Sequence, residues 1–171
     1  MAMPRKLKNM NLFNDGNSYQ GVCGTVTLPN LTRKMEAWRG GGMDGGVKVD
    51  LGMGDDGLQV EWTLGGMDLI VIRQYGITSA SGVLLRWAGA YQRDDTAETT
   101  AVEVVVRGRH EEINMGEAEP GEDTEHEITT TCSYYKLVVN GRVEIEIDLL
   151  NMIFIVDGND LLEAQRRAIG L

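Results

Sequence analysis

The sequence predicts a mainly β protein, an antiparallel sandwich or barrel with one or two short helices and long loops suited to contacts between subunits. Three observations predict it. Several segments alternate apolar and polar residues with the period of two that a half-buried strand requires. Asn140-Gly141 lies between two such segments and supplies the positive-φ residues of a type I′ hairpin turn. Glycine is abundant, 22 residues against 3 prolines, which suits tight turns and bulges.

The elements follow in order. An extended N-terminal arm is expected over about 1–20, then a strand marked by Val22, Val26 and Leu28 and ended by Pro29. Residues 30–46, with Gly40-Gly41-Gly42 and Gly45-Gly46, read as a long flexible loop. Val47, Val49, Leu51 and Met53 form one alternating face, and Leu58, Val60, Trp62 and Leu64 form another. Met67–Tyr75 follows a glycine pair without alternation and predicts a short helix. Val83, Leu85, Trp87 and Tyr91 mark a strand over 83–92, joined through the polar turn Arg93–Thr96 to a strand over 100–109. The acidic stretch 110–126 reads as a second long loop. A strand over 127–139 changes phase near Tyr134-Tyr135, which predicts a bulge, and the Asn140-Gly141 turn leads to a strand over 142–149. Asn159-Asp160 is positioned to cap a final helix over about 160–168, with Arg166 and Arg167 in its last turn and Gly170 as its stop.

At 171 residues the chain is the size of one domain, and a domain of that size buries enough surface to fold without staples. No stretch approaches the roughly 18 apolar residues of a membrane-spanning helix, and the N-terminus lacks the apolar core of a secretion signal. Net charge is −10, so the summed field repels nucleic acid and confines any DNA contact to a transient, non-adhesive one. Cys23 and Cys132 form no disulfide framework, and neither CxxC nor HxxxH occurs. They read as buried free thiols, with a pairing across neighbouring strands or an intermolecular cross-link left open.

Catalytic constellations are missing. His110 and His126 flank the acidic stretch, but neighbours such as Glu111 and Glu127 point to the opposite face of a strand and make poor co-ligands. Asp94-Asp95 with Glu98 lacks calcium-loop spacing, the glycine clusters lack a following Lys-Ser/Thr, and no Gly-x-Ser-x-Gly occurs. Neither an enzyme nor a cofactor is expected.

Charge is unevenly distributed. Residues 1–40 carry Arg5, Lys6, Lys8, Arg33, Lys34 and Arg39 against Asp15 and Glu36, a net +4, which leaves −14 for the remainder. Glu111, Glu112, Glu117, Glu119, Glu122, Asp123, Glu125 and Glu127 fall within 111–127 with no Lys or Arg among them. A basic segment and an acidic segment in one chain can attract each other between copies.

Several stretches resemble a known family. Asn11-Leu12-Phe13-Asn14-Asp15-Gly16, Thr27-Leu28-Pro29-Asn30-Leu31-Thr32-Arg33-Lys34 and Ala37-Trp38-Arg39-Gly40-Gly41-Gly42-Met43 are similar to the opening of the major tail tube proteins of contractile-tailed bacteriophages and R-type tailocins. The likeness continues through Val49–Met53, Tyr91–Thr96, Arg107-Gly108-Arg109, Gly116–Glu125 and Val143–Asp148 to Asn151-Met152-Ile153 and Ile169-Gly170-Leu171, in order and along the whole chain.

The resemblance implies a single tail-tube domain over 1–171 and a virion protein assembled in the bacterial host cytoplasm. It implies hexameric rings stacked into an inner tube within a contractile sheath, a passive conduit for DNA during ejection. Strands would pair across subunits along the inner wall. The implied partners are further copies of the chain, the tail sheath protein, baseplate and tail-terminator proteins, and DNA only in transit, with no membrane. Within that frame, Arg5, Lys6, Arg33, Lys34 and Arg39 are expected to meet Glu111, Glu112, Glu117, Glu119, Glu122 and Asp123 of a subunit in the next ring. The alternatives are the tube of a DNA-free contractile injection machine, tailocin or type VI-like, and a monomeric β-sandwich binding module. The latter, binding carbohydrate or metal, would need an exposed aromatic platform or a carboxylate cluster; of Trp38, Trp62 and Trp87, the last two fall in phase with apolar strand residues and are assigned to the core.

Overall fold

A computed structural model describes residues 1–171. The chain forms β1 (Lys6–Asn14), β2 (Asn17–Ser18), β3 (Cys23–Thr27), β4 (Arg33–Trp38), β5 (Val47–Met53), β6 (Leu58–Leu64), α1 (Leu69–Gln74), β7 (Val83–Gln92), β8 (Thr99–Asn114), β9 (His126–Val139), β10 (Arg142–Asp148), β11 (Ile153–Val156), β12 (Asn159–Asp160) and α2 (Glu163–Ala168). Every strand pair is antiparallel, as the hairpin signals predict.

The long strand β9 organises the architecture. One edge pairs with β8 along nearly its whole length. The other edge is divided: His126–Cys132 pairs with β6, and Tyr134–Val139 pairs with β10. The main sheet therefore runs β12-β11-β10-β9-β8-β7-β1-β2, with β6 and β3 branching from β9 as a second layer. Val26, Leu28 and Val60 from that layer face Leu12, Leu85, Trp87, Val104 and Val106 across a residual void of about 10 Å³. The two faces thus close-pack, and Trp62, Leu58, Ile128 and Ile147 complete one continuous core.

The division of β9 depends on a bulge. Arg107 opposes Tyr134 and Gly108 opposes Cys132, so Ser133 is the extra residue, one position before the phase change expected at Tyr134-Tyr135. At this crossing the two backbones approach closely. A Cβ on Gly108 would lie 2.1 Å from the Thr131 carbonyl oxygen and 2.8 Å from the Cys132 Cα, contacts that neither backbone can relieve. Asn140 and Gly141 adopt φ of 49° and 80°, the predicted I′ geometry.

Three expected features differ. The N-terminal arm over 1–20 is largely β1, paired with β7 from Lys6 opposite Gln92 to Asn14 opposite Leu85. An extra residue at Lys8 breaks its alternation, and the inward-facing Asn14 is polar, so the strand signal is masked. The loop expected over 30–46 contains β4, which pairs with β5 as a hairpin, leaving only residues 39–46 as its tip. The second loop shortens to residues 115–125, because β8 continues to Asn114 and β9 begins at His126.

The helices are short. Asp68 caps α1 by accepting from the backbone N–H groups of Ile70 at 2.7 Å and Val71 at 3.4 Å. Asn159-Asp160 is not the cap of α2 as expected. The Asp157-Gly158 turn, with φ of 52° and 77°, folds those two residues back onto β11 as β12. Asp160 instead pairs with Arg166, and α2 starts at Glu163. Gly170 does stop the helix: at φ 85° it lets Leu171 N–H reach the Arg166 carbonyl and its own N–H reach that of Arg167.

The Gly108 crossing yields a prediction. Gly108→Ala should destabilise the chain by about 3 kcal/mol, seen as a lower urea midpoint. Gly141→Ala strains only a turn and should lose about 1 kcal/mol.

Candidate assembly surfaces

Strands β4 and β5 pair only with each other. Trp38 opposes Val47 and Glu36 opposes Val49, so Trp38, Val47, Val49 and Leu51 share one face of the hairpin. That face is uncovered: these side chains are 64%, 57%, 45% and 56% exposed. The sequence predicts strand 47–53 correctly but predicts a half-buried one, because alternation reports which residues face together and not what lies opposite them. The candidate residues singled out by charge omit this apolar face. Its signal is the same alternation, set beside a glycine-rich tip and Trp38.

The basic candidates divide into two groups. Arg33 donates from Nε to Asp50 at 2.9 Å, and its guanidinium lies 5.0 Å from the centre of the Phe154 ring, so it braces the base of the hairpin. The same contact, first from the Arg33 hydrogen bond and then from the Gly52 N–H, holds the Asp50 carboxyl below the usual carboxylate range. Lys34 pairs with Asp55 at 2.7 Å. Both cations are thus neutralised within their own chain. Arg5, Lys6 and Arg39 make no ion pair, although Arg39 donates to the Met43 carbonyl at 3.2 Å within the hairpin tip.

The acidic candidates lie at and beyond the Asn114–Glu127 end of the β8–β9 ladder. Glu111 and Glu112 lie on β8, and Glu111 accepts from the Thr131 hydroxyl at 2.5 Å. Glu117, Glu119, Glu122 and Asp123 are exposed in the 115–125 connection. There Glu117, Asp123, Glu125 and Glu127 line an open bowl of about 290 Å³ with no apolar wall. None of these carboxylates pairs with a cation of the same chain. The structure therefore gathers Glu117 and Asp123 with Glu125 and Glu127, whereas Glu111 lines a separate cavity with Thr32 and Gly54 at the base of the β4–β5 hairpin.

The remaining candidates are structural. Cys23 lies on β3 opposite Leu64 and Cys132 on β9 opposite Leu58, so β6 separates them and they sit six residues, about 20 Å, apart along it. No disulfide can join them within the chain. Burial pushes the Cys23 thiol up to about 11 and the Cys132 thiol up to about 12, which leaves both protonated and unreactive. His110 is buried with both ring nitrogens engaged, by Thr130 and Gln74 at 2.9 Å each. No three His, Cys, Asp or Glu side chains converge as metal ligands.

The sheet also has one unfinished edge. β2 covers Phe13 and Asn14 of β1 and the Tyr19 N–H takes the Leu12 carbonyl, leaving the outer edge over Lys6–Asn11 unpaired. The β11 edge is covered: β12 pairs with Ile155 and Val156, the Leu161 N–H donates to the Phe154 carbonyl at 2.8 Å, and Arg166 donates to the Met152 carbonyl at 2.8 Å.

These features accord with what the chain is similar to. The family described as phage tail tube protein FII matches residues 4–170. The tail tube protein of Escherichia phage P2 is 56% identical over 172 residues, covering 100% of both chains. The major tail tube protein of Serratia phage KSP20 is 41% identical over 161 residues, covering 94% of this chain and 92% of that one. Among solved structures, a chain of the 6-fold symmetrised baseplate of the anti-feeding prophage aligns over 75% of this chain and 90% of its own, with 10% identity and a TM-score of 0.49. An antiparallel β fold without a catalytic or metal-binding constellation, matched from end to end, belongs to the phage tail tube protein FII family, structural components of the virion tail and not enzymes.

Proposed function

We propose that six copies of this chain close into a ring and that rings stack into the inner tube of a contractile tail, through which DNA passes at ejection. The observation that carries the reading is the projecting β4–β5 hairpin, whose apolar face has no cover in its own chain. A contiguous exposed apolar face rimmed by charge marks a protein contact, and a protein whose structural role is repetition supplies that contact from further copies.

An open strand edge supports lateral closure. The outer edge of β1 over Lys6–Asn11 has no partner in its own chain, and pairing it with a strand of a neighbouring subunit removes that edge from solvent. The stacking contact is electrostatic in part: Arg5, Lys6 and Arg39 are unpaired cations, and the 111–127 carboxylates are unpaired anions. Arg33 and Lys34 serve the contact indirectly, by bracing the hairpin. A net charge of −10 gives DNA phosphates few fixed cations to adhere to, which suits passage over retention. The sheath encloses the tube, and baseplate and terminator proteins meet its ends.

Electron microscopy of purified protein tests this reading. Wild-type protein should form hollow tubes of six-fold rings, and a stable monomer at high concentration would overturn the proposal. Trp38→Glu or Val49→Glu should abolish tubes while the monomer's stability changes by no more than about 0.5 kcal/mol, because neither side chain is buried; tubes of normal length would remove the hairpin from the interface. Arg39→Glu should shorten tubes, and Glu119→Lys with Glu122→Lys in the same chain should restore length. On non-reducing electrophoresis, dissociated tubes should run as monomer, since Cys132 is buried and the half-buried Cys23 has its thiol raised to about 11.

A further inference from the structure

A chain of polar side chains crosses the interior between the barrel and α1. At one end, the Trp62 indole N–H, which can only donate, reaches Thr130 Oγ1 at 3.1 Å. At the other end, the Asp15 carboxylate, which only accepts when ionised, takes the Gln74 amide Nε2 at 2.7 Å. These ends fix the direction of every bond between them. Gln74 Nε2 also donates to Asn14 Oδ1 at 2.9 Å, and Asn14 Nδ2 donates back to Gln74 Oε1 at 2.7 Å. Gln74 Oε1 thus remains an acceptor toward His110 Nε2 at 2.9 Å, which makes His110 the Nε2–H tautomer. His110 Nδ1 is then an acceptor for the Thr130 hydroxyl at 2.9 Å, whose oxygen is already accepting from Trp62.

The arrangement has no place for a second proton on His110. Protonation at Nδ1 would set an N–H against a hydroxyl hydrogen, force the Thr130 hydroxyl to turn away from its partner, and leave a buried cation. The surroundings offer little compensation. The β1–β2 turn presents Asp15, already committed to Gln74 and to the Leu84 N–H at 3.1 Å. β9 presents Thr130 and β6 presents Trp62, neither of them charged, and α1 presents the neutral Gln74. Tyr19, its ring tilted 40° against Trp62 with centres 5.8 Å apart, is pushed by burial up to about 12 and stays neutral, and the α1 cap Asp68 lies on its side of the cluster. On β8 itself, Arg109 donates to the Thr78 carbonyl and Glu111 accepts from Thr131, both on the exposed side of the strand.

We propose that this chain is an acid-released latch: neutral His110, clasped between Thr130 and Gln74, holds the α1 segment against the barrel, and protonation of His110 frees it. α1 is a single short helix, and Gln74 and Val71 are its only buried residues, so the latch supplies much of its anchorage. Its outward side carries Leu69, Ile70 and the flanking Met67 and Tyr75, and the latch decides whether these stand as a fixed surface.

The sign follows from linkage. Burial, opposed weakly by Asp15, draws His110 from 6.5 down to about 4 when the latch is closed. The open form therefore binds more protons between those values, and closure weakens as pH falls from about 6.5 to 4, with no further change below. The open–closed equilibrium should shift roughly a hundredfold across that window.

Hydrogen exchange of the purified full chain, held below the concentration at which it assembles, tests the latch independently of tube formation. After correction for intrinsic rates, protection over residues 68–77 should fall between pH 7 and pH 4.5 while β7, β8 and β9 remain protected. His110→Gln, a neutral side chain, should remove the pH dependence of that segment. Should that variant not fold, ring NMR of the wild type, with His126→Gln for assignment, should show the Nε2–H tautomer of His110 titrating together with the loss of protection. Titration of His110 near 6.5 without change in α1, an identical acid loss in His110→Gln, or simultaneous loss across the whole barrel would overturn the proposal.

Discussion

Both layers of the fold depend on one shared strand. β9 offers one edge to two successive partners, β6 over residues 126–132 and β10 over 134–139, while β8 spans both. A flat strand cannot serve two sheets that diverge, so the chain must bend where the partners change. Ser133 is the inserted residue at that point, and Gly108 is the position where β8 must pass without a side chain. Burial follows from the bend: Trp62 and Val60 of the branching layer close onto Leu85, Val104 and Val106 of the main sheet only because β6 leaves β9 at an angle. The core is thus a consequence of backbone geometry at one crossing as much as of apolar content.

The legibility of the elements in the sequence tracks how local their causes are. The Asn140-Gly141 turn and strands 58–64 and 83–92 are readable because turn chemistry and one-sided burial leave periodic traces. β1 is obscured by two tertiary events, the extra residue at Lys8 and the burial of Asn14 against Gln74. β4 is obscured because both its faces meet solvent in the isolated chain, which leaves Met35, Glu36 and Ala37 without a consistent period. Among candidate site residues, the segregation of basic and acidic residues along the chain is visible in their order. That Arg33 and Lys34 spend their charge on Asp50 and Asp55 is not, since those contacts arise from β4 pairing with β5 in a particular register.

The same register explains why an apolar hairpin can project from a folded monomer. Backbone bonds between β4 and β5 and the Arg33–Asp50 and Lys34–Asp55 pairs hold its shape without a core of its own. Exposed ion pairs of this type contribute little each, about 0–1 kcal/mol, so the hairpin is held only modestly. In the proposed tube, such an element would gain its hydrophobic stabilisation when a neighbour covers Trp38, Val47, Val49 and Leu51. Folding of the body and completion of the hairpin would then be separate events, the second tied to the proposed assembly.

The interior polar chain follows the opposite logic. Replacing a satisfied buried network with apolar side chains is often neutral or stabilising, so its presence argues for specification over raw stability. Here the donor-only Trp62 and the acceptor-only Asp15 define one bonding order, and that order defines where Gln74, and with it α1, must sit. An apolar contact would tolerate rotation or slip of a helix this short. A directional chain does not, and it places α1 against the barrel in a single register while leaving the position dependent on one uncharged imidazole.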